Sequence, residues 1–230
     1  MATTLAHRGP DDAGDWADER GEAAFGFRRL SIIDLSPEGH QPMWSADGRF
    51  VVVFNGEIYN FKALHDELVA DGCTFRGGSD TEVLLAAVTR WGVEGAISRS
   101  WGMFAVALWD THDRVLHLVR DRLGKKPIYY GWQGETFLFG SELKALRAHP
   151  AFNASIDRDA LASYLRYAYV PAPRSIHEGI HKLPPGCHLV VHPDRPGELA
   201  EPRRFWDPAE VARAGQADPL QLSDLSLIHI

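Results

Sequence analysis

The order of elements in this 230-residue chain predicts an α+β protein with largely antiparallel sheets. Three observations carry that prediction. Phe50-Val51-Val52-Val53-Phe54 is an unbroken apolar run rich in β-branched residues, the composition of a strand buried on both faces. Two helical patterns follow it in succession, with no strand between them. The stretch from 103 to 139 then returns to strand-like alternation. Strands, paired helices and strands again argue against a repeating βαβ plan.

Residues 1–6 read as the tail of a helix, and His7-Arg8-Gly9-Pro10-Asp11-Asp12 as a turn, because Gly-Pro disfavours helix and the acids favour capping. Alternation around Phe25, Phe27, Leu30, Ile32 and Ile33 predicts one or two strands within 22–34, and 36–48 is a Pro-, Gly- and Ser-rich loop. After the run at 50–54, Phe61, Leu64, Leu68 and Val69 share one helical face, with Asn60 to cap it and Gly72 to end it. Ser79-Asp80-Thr81-Glu82 is a capping box that opens a second helix, expected to stop at Gly92. Strands are expected at 103–109 and 115–119, and a hairpin at Gln133-Gly134 between 127–130 and 136–139. Helices are expected at 141–148, capped by Ser141, and at 157–167. From Val170 onward prolines recur, marking a connector with one short strand at 187–191.

The length suits one large domain or one and a half average ones, and 45% hydrophobic residues supply an ample core. Net charge is −7 with acids and bases interleaved; no Lys/Arg block invites a nucleic acid. Two cysteines, Cys73 and Cys187, make no disulfide framework, which suits a reducing compartment. No apolar run reaches membrane-spanning length and the N-terminus lacks a signal-peptide layout, so a cytoplasmic protein with no membrane contact is expected.

Candidate chemistry is spread along the chain. Asn55-Gly56, at the end of the buried run, reads either as a tight hairpin turn or as two donors converging on one developing negative charge. Neither cysteine sits in a nucleophile motif, and Gly-x-Ser-x-Gly is absent. His177, His181, Cys187, His188 and His192 are loosely spaced like metal ligands, but no Cys-x-x-Cys anchors them; solvated loop histidines and no metal are the expectation. Gly77-Gly78 opens a helix without the Lys of a phosphate loop. Asp80 in that first turn is either a surface acid favoured by the helix dipole or a partner for an ammonium. Arg29 is either a surface residue or a bidentate partner for a carboxylate. Taken together, Arg29, Asp80 and Asn55-Gly56 describe a site for a free amino acid whose side-chain carbonyl is attacked.

A series of motifs gives that description a family. His7-Arg8-Gly9-Pro10-Asp11, Arg29-Leu30-Ser31-Ile32-Ile33-Asp34, Phe54-Asn55-Gly56-Glu57-Ile58-Tyr59-Asn60 and Ser79-Asp80-Thr81-Glu82 occur in order. Gly102-Met103-Phe104-Ala105, Arg120-Asp121-Arg122-Leu123-Gly124 and Ser141-Glu142-Leu143-Lys144-Ala145-Leu146 follow. Over about residues 1–208 the chain resembles the glutaminase domain of glutamine-hydrolysing asparagine synthetases, which are class II glutamine amidotransferases. Tyr169-Val170-Pro171-Ala172-Pro173 and Lys182-Leu183-Pro184-Pro185-Gly186 point to the asparagine synthetase branch.

The resemblance implies a four-layer αββα N-terminal-nucleophile hydrolase sandwich of two antiparallel sheets. It places the glutaminase unit at 1–190 and a connector toward an ATP-dependent synthetase domain at 191–230, with the tail Ser226-Leu227-Ile228-His229-Ile230 unlike the family. It assigns the glutamine α-carboxylate to Arg29, the α-ammonium to Asp80, pocket-lining backbone to Leu30, Ile32 and Glu57, and the oxyanion hole to Asn55 and Gly56. The family nucleophile, a cysteine made N-terminal by methionine removal, has no counterpart in Met1-Ala2-Thr3-Thr4; a partial sequence lacking the first strand is the expectation, and with it an inactive, marginally stable fragment. No cofactor is implied in this domain, whereas the synthetase domain would use ATP and Mg. L-glutamine, the synthetase domain and a homodimer mate are the implied partners. The implied enzyme is a carbon–nitrogen ligase that supplies ammonia from glutamine for amidation of aspartate. Amidation of another carboxylate, or glutamine or partner binding without catalysis, are the competing readings.

Overall fold

The structure, a computed structural model, describes residues 1–219; the off-family tail at 226–230 lies outside the described residues. After a single 3-10 turn at Ala2–Leu5 come β1 (Asp12–Ala17) and β2 (Ala24–Arg29), then β3 (Met43–Trp44) and β4 (Phe50–Ile58). Helices α1 (Phe61–Ala70) and α2 (Asp80–Arg99) follow, then β5 (Gly102–Asp110), β6 (Val115–Arg120), β7 (Tyr129–Gln133) and β8 (Thr136–Gly140). The last part holds α3 (Leu143–Arg147), α4 (Arg158–Tyr167), β9 (His181–Lys182), β10 (Cys187–Val191), β11 (Arg203–Arg204) and α5 (Pro208–Ala217).

Side-chain alternation stacks these elements into four layers. The central sheet runs β11-β10-β6-β5-β4-β3, antiparallel at every pairing. On one face Phe50, Val52, Phe54 and Ile58 of β4, with Phe104, Val106 and Leu108 of β5, pack against Leu64, Leu68, Val83, Leu84 and Val88 of α1 and α2. On the other face Val51, Val53, Ala105, Ala107 and Trp109 meet a second β layer built from the β1-β2 ribbon and the β8-β7-β9 sheet through Phe25, Tyr130, Phe137 and Phe139. Leu138 of that layer points away from the middle, onto Leu146 of α3 and Ile180. Helix, sheet, sheet, helix is the expected α+β sandwich, and period-2 alternation is its cause.

Several local expectations change. The chain does not turn at Asn55-Gly56; β4 runs on through both to Ile58, paired with β5 over its whole length. A close approach makes Gly56 obligatory, since a Cβ there would sit 2.2 Å from the Met103 carbonyl oxygen. Gly92 does not end α2 but kinks it, at φ 72°, and the helix resumes to Arg99 because Ala96 and Ile97 regain the core. Asn60 makes no cap bond to α1; its side chain instead joins Arg99 O and Trp101 N, tying the end of α2 to the start of β5. Half of the capping box forms, with Ser79 Oγ accepting from Glu82 N at 3.2 Å. The Glu82 carboxylate reaches further back, to Arg76 N and Gly77 N. Glu142, not Ser141, takes the cap position of α3. Strand β1 went unread because its alternation rests on Gly, Asp and Ala, with Trp16 the only large apolar side chain.

Two of the histidines, His177 and His188, are also not in solvent. His188 is buried on β10, its Nε2 2.9 Å from His117 Nδ1 on neighbouring β6. Burial holds the His117 imidazole down at about 4, so this pair stays neutral in ordinary buffers. His177 is buried too, its Nδ1 facing the Ala154 carbonyl oxygen while the ring stands edge-on to Phe152. Among the described residues no group of three or more His, Cys, Asp or Glu side chains is placed to hold a metal ion.

Candidate functional site

Strand β3 pairs with only two residues of β4, Val51 and Val52, so beyond Val52 that edge of β4 is not paired with another strand. Residues of even number turn their N–H groups to that edge: Phe50 N donates to Ser45 Oγ, Phe54 N to Gln41 Oε1 at 2.6 Å, and Ile58 N to Asp80 Oδ2 at 2.9 Å. Gly56 N–H lies between the last two, and no hydrogen bond among the described residues uses it. An unpaired backbone donor flanked by two occupied ones is a socket for an acceptor from outside the chain. The side chains of Asn55 and Glu57 point to the opposite face from Phe54 and Ile58, into a cavity of about 770 Å³ between the two β layers. Asn55 Nδ2 has one further contact, to Ser141 Oγ at 3.4 Å.

Asp80 is the first residue of α2 and is buried. Removal from water raises its carboxyl from an ordinary 3.8 to about 6, against the pull of the Ile58 N–H and with a push from the nearby Glu57 carboxylate. Two acids face the cavity here, and burial makes a cation beside Asp80 favourable.

Arg29 closes the other side, at the end of β2, and it is buried as well. Its guanidinium donates to Ser36 O at 3.0 Å and to Asp34 O, and it fits beneath Gly39, where a Cβ would stand 1.9 Å from Nη2. Three of its five N–H donors remain for a ligand carboxylate. The carboxylate of Asp34 in turn accepts from Ser36 N and from Gly78 N at 3.0 Å, which joins the Arg29 loop to the loop that carries Asp80. Gln41 adds a second tie, accepting from Phe54 N while donating to Thr81 Oγ1 at 3.3 Å.

All seven residues singled out from the sequence therefore line one cavity: Arg29, Leu30, Ile32, Asn55, Gly56, Glu57 and Asp80. Leu30 and Ile32, which also line it, are 55% and 59% exposed. Cys73 packs against the helical side of the sheet and Cys187 sits in β10 with burial pushing its thiol up; neither is part of the cavity wall. Sequence reasoning missed Gln41, Thr81 and Ser141, and gave Asp34 no role. Only for Asp34 was there a signal, an acid inside the Arg29 motif facing a Gly-Gly pair that needs a hydrogen-bond acceptor. Consecutive residues of β8, from Thr136 to Gly140, together with Gly26, Phe27 and Arg28 of β2, border the same space, so each strand presents an unpaired edge to it.

The fold is that of a glutamine amidotransferase: the Bacillus subtilis glutamine phosphoribosylpyrophosphate amidotransferase superposes with a TM-score of 0.65 at 20% identity, over 89% of this chain and 45% of that one. The chain belongs to the glutamine amidotransferase domain family, whose model matches residues 1–206. It is 42% identical over 194 residues to asparagine synthetase [glutamine-hydrolyzing] 1 of Bacillus subtilis, covering 84% of this chain and 30% of that protein. It is 41% identical over 202 residues to a putative asparagine synthetase [glutamine-hydrolyzing] of Mycobacterium tuberculosis, covering 83% and 31%. The chain thus spans about a third of the length of the curated relatives it matches.

Proposed function

We propose that this chain is the glutamine-binding half of an asparagine synthetase, in which glutamine amide hydrolysis supplies ammonia for ATP-dependent amidation of aspartate. The observation that carries the reading is the unpaired Gly56 N–H on the edge of β4, with the Asn55 amide beside it and an acid and a guanidinium at opposite sides of the cavity. Glutamine fits those groups by charge and by hydrogen bonding. Its ammonium pairs with Asp80, its α-carboxylate with the free donors of Arg29, and its side-chain carbonyl oxygen lies against Gly56 N–H and Asn55 Nδ2. Backbone of Leu30, Ile32 and Glu57 borders the chain of the ligand.

When a thiolate attacks that carbonyl, the oxygen gains negative charge where two preset donors already point, at no cost of reorganisation. The family's thiolate has no counterpart in the cavity wall, so the chain is read as binding glutamine without turning it over. Residues 191–230 serve as the connector to the synthetase domain, which would hold ATP and Mg. The whole works in the cytoplasm, and a homodimer is the proposed assembly. The acceptor lies beyond this domain; a Gibberella zeae protein named amidase chry2 is 35% identical over 204 residues, so the shared part alone does not choose it.

Calorimetry with L-glutamine and a coupled ammonia assay test the reading. Binding is expected, lost in both Arg29→Ala and Asp80→Ala, with no ammonia released. Binding that survives both substitutions overturns the pocket assignment, and turnover abolished by Cys73→Ala overturns the site itself.

A further inference from the structure

Helix α4 exposes nearly all of its surface, its apolar face included. Leu161, Tyr164 and Leu165 recur at i, i+3 and i+4 and form its apolar face, while Asp159, Ser163 and Arg166 lie on the opposite side. That apolar face is uncovered: Leu161 is 40% exposed, Tyr164 50% and Leu165 76%, with Tyr167 and Tyr169 exposed beside them. Of the ten residues of α4, only Ala160 is buried.

Local devices hold the helix without covering that face. Asp157 caps its start by accepting from Asp159 N and Ala160 N, Ala168 ends it in the left-handed region at φ 61°, and Asp159 pairs with Arg174 at 3.2 Å. Helices this short draw their stability from tertiary packing, and a single buried alanine supplies little of it. Contiguous aromatic and aliphatic exposure of this kind marks an interaction surface.

The lengths of the relatives indicate what covers it. The matched part is 30% of the Bacillus subtilis protein and 31% of the Mycobacterium tuberculosis one, so more than twice as much chain accompanies this domain in each. The next helix of this chain, α5, also buries none of its residues and exposes Val211. None of the α4 residues borders the glutamine cavity, so a body seated there leaves the cavity open.

We infer that the Leu161-Tyr164-Leu165 face of α4, flanked by Tyr167 and Tyr169, is the seat for the portion of the polypeptide that the curated relatives carry beyond this domain. The inference rests on the asparagine synthetase reading given above. Hydrogen exchange is compared between the 230-residue chain and the same chain fused to the unmatched portion of the Bacillus subtilis relative. Amides 161–168 are expected to exchange at least ~10-fold more slowly in the fusion. Leu165→Glu in the fusion restores fast exchange there, the milder Leu165→Ser does so partly, and amides of β4 and β5 stay protected in all of them. Equal α4 exchange in chain and fusion overturns the inference, as does indifference to Leu165→Glu. So does a dimer of the 230-residue chain, seen by light scattering, that Leu165→Glu dissociates, since a second copy then occupies the face. Glutamine calorimetry on the same samples separates the two proposals: a protected α4 without glutamine binding sinks the functional reading alone, and binding with an unprotected α4 sinks the docking seat alone.

Discussion

The two walls of the cavity are made by different means. On the β4–α2 wall, strand pairing and a helix start place the groups: Gly56 N–H projects because the pairing of β4 with β3 goes no further than Val52, opposite Met43, and Asp80 is pinned by Ile58 N–H. On the wall formed by residues 29–39, side chains hold backbone instead, with Arg29 bonding to Ser36 O and Asp34 O, and Asp34 bonding to Ser36 N and Gly78 N. The first wall inherits its geometry from a sheet that forms regardless of the ligand. The second exists only while a few polar contacts persist, which suits the side through which a ligand enters and leaves.

That contrast breaks most sharply at Gly56. Gly56→Ala puts a methyl 2.2 Å from Met103 O and 2.6 Å from Phe104 Cα, both backbone, so β4 and β5 must part. A loss above ~3 kcal/mol is expected, read as a collapse of the thermal transition. On the same wall Asp80→Asn has the opposite sign. A buried acid raised from 3.8 to about 6 binds more protons folded than unfolded between those values, so its ionisation lowers stability as pH rises through that window. Asn keeps an acceptor for Ile58 N–H and removes the titration. At pH 7 the variant should gain up to ~3 kcal/mol, with the gain gone below about pH 4, as denaturant melts at the two pH values will show. Glutamine affinity of the unaltered chain should fall as pH drops through about 6, since the ammonium needs the ionised form, and Asp80→Asn should bind no glutamine at any pH.

Cutting the second wall should cost less stability and as much binding. Asp34→Ala frees Ser36 N and Gly78 N, both near the surface where water replaces the carboxylate. A loss of ~1–2 kcal/mol in a urea melt is expected, with glutamine binding abolished because the loop that holds Arg29 is untied. Smallest of all, Leu30→Ala and Ile32→Ala should each change stability by no more than ~0.5 kcal/mol and leave glutamine affinity within about twofold, since both residues are more than half exposed. A large effect of either would show that the 29–39 wall is as firmly packed as the β4–α2 wall.

Legibility in the sequence followed the same division. Strong periodicity made β4, β5, β6, the β7-β8 hairpin and both central helices readable, because burial of a whole face dictates residue type at every second or every third and fourth position. The ionic ends of the site were readable as chemistry, but Asp80 and Arg29 each had an equally good reading as surface residues, and only their burial decides between them. Of the two readings of Asn55-Gly56, the turn fails: the dipeptide that best signals one here continues a strand, since Gly56 is demanded by its neighbour β5 and not by a positive φ. Gly92 misled, bending a helix it was expected to stop. Gln41 and Ser141 were invisible, because a loop glutamine and a serine after a strand take their roles from partners 13 and 86 residues away.

The sequence by itself determined the α+β class, since hydrophobic period is a local property of the chain, and its motif order carried the family resemblance, which in turn implied the four-layer sandwich and the candidate site residues. The tertiary structure alone decided that β4 runs past its apparent turn and that β3 covers only Val51 and Val52 of it, leaving one N–H unpaired. It also decided that Asp34 and Gln41 tie the walls together and that α4 keeps its apolar face outward. Each of these depends on which distant segment comes to lie alongside, and hydrogen bonding and close approach between remote residues leave no periodic trace along the chain.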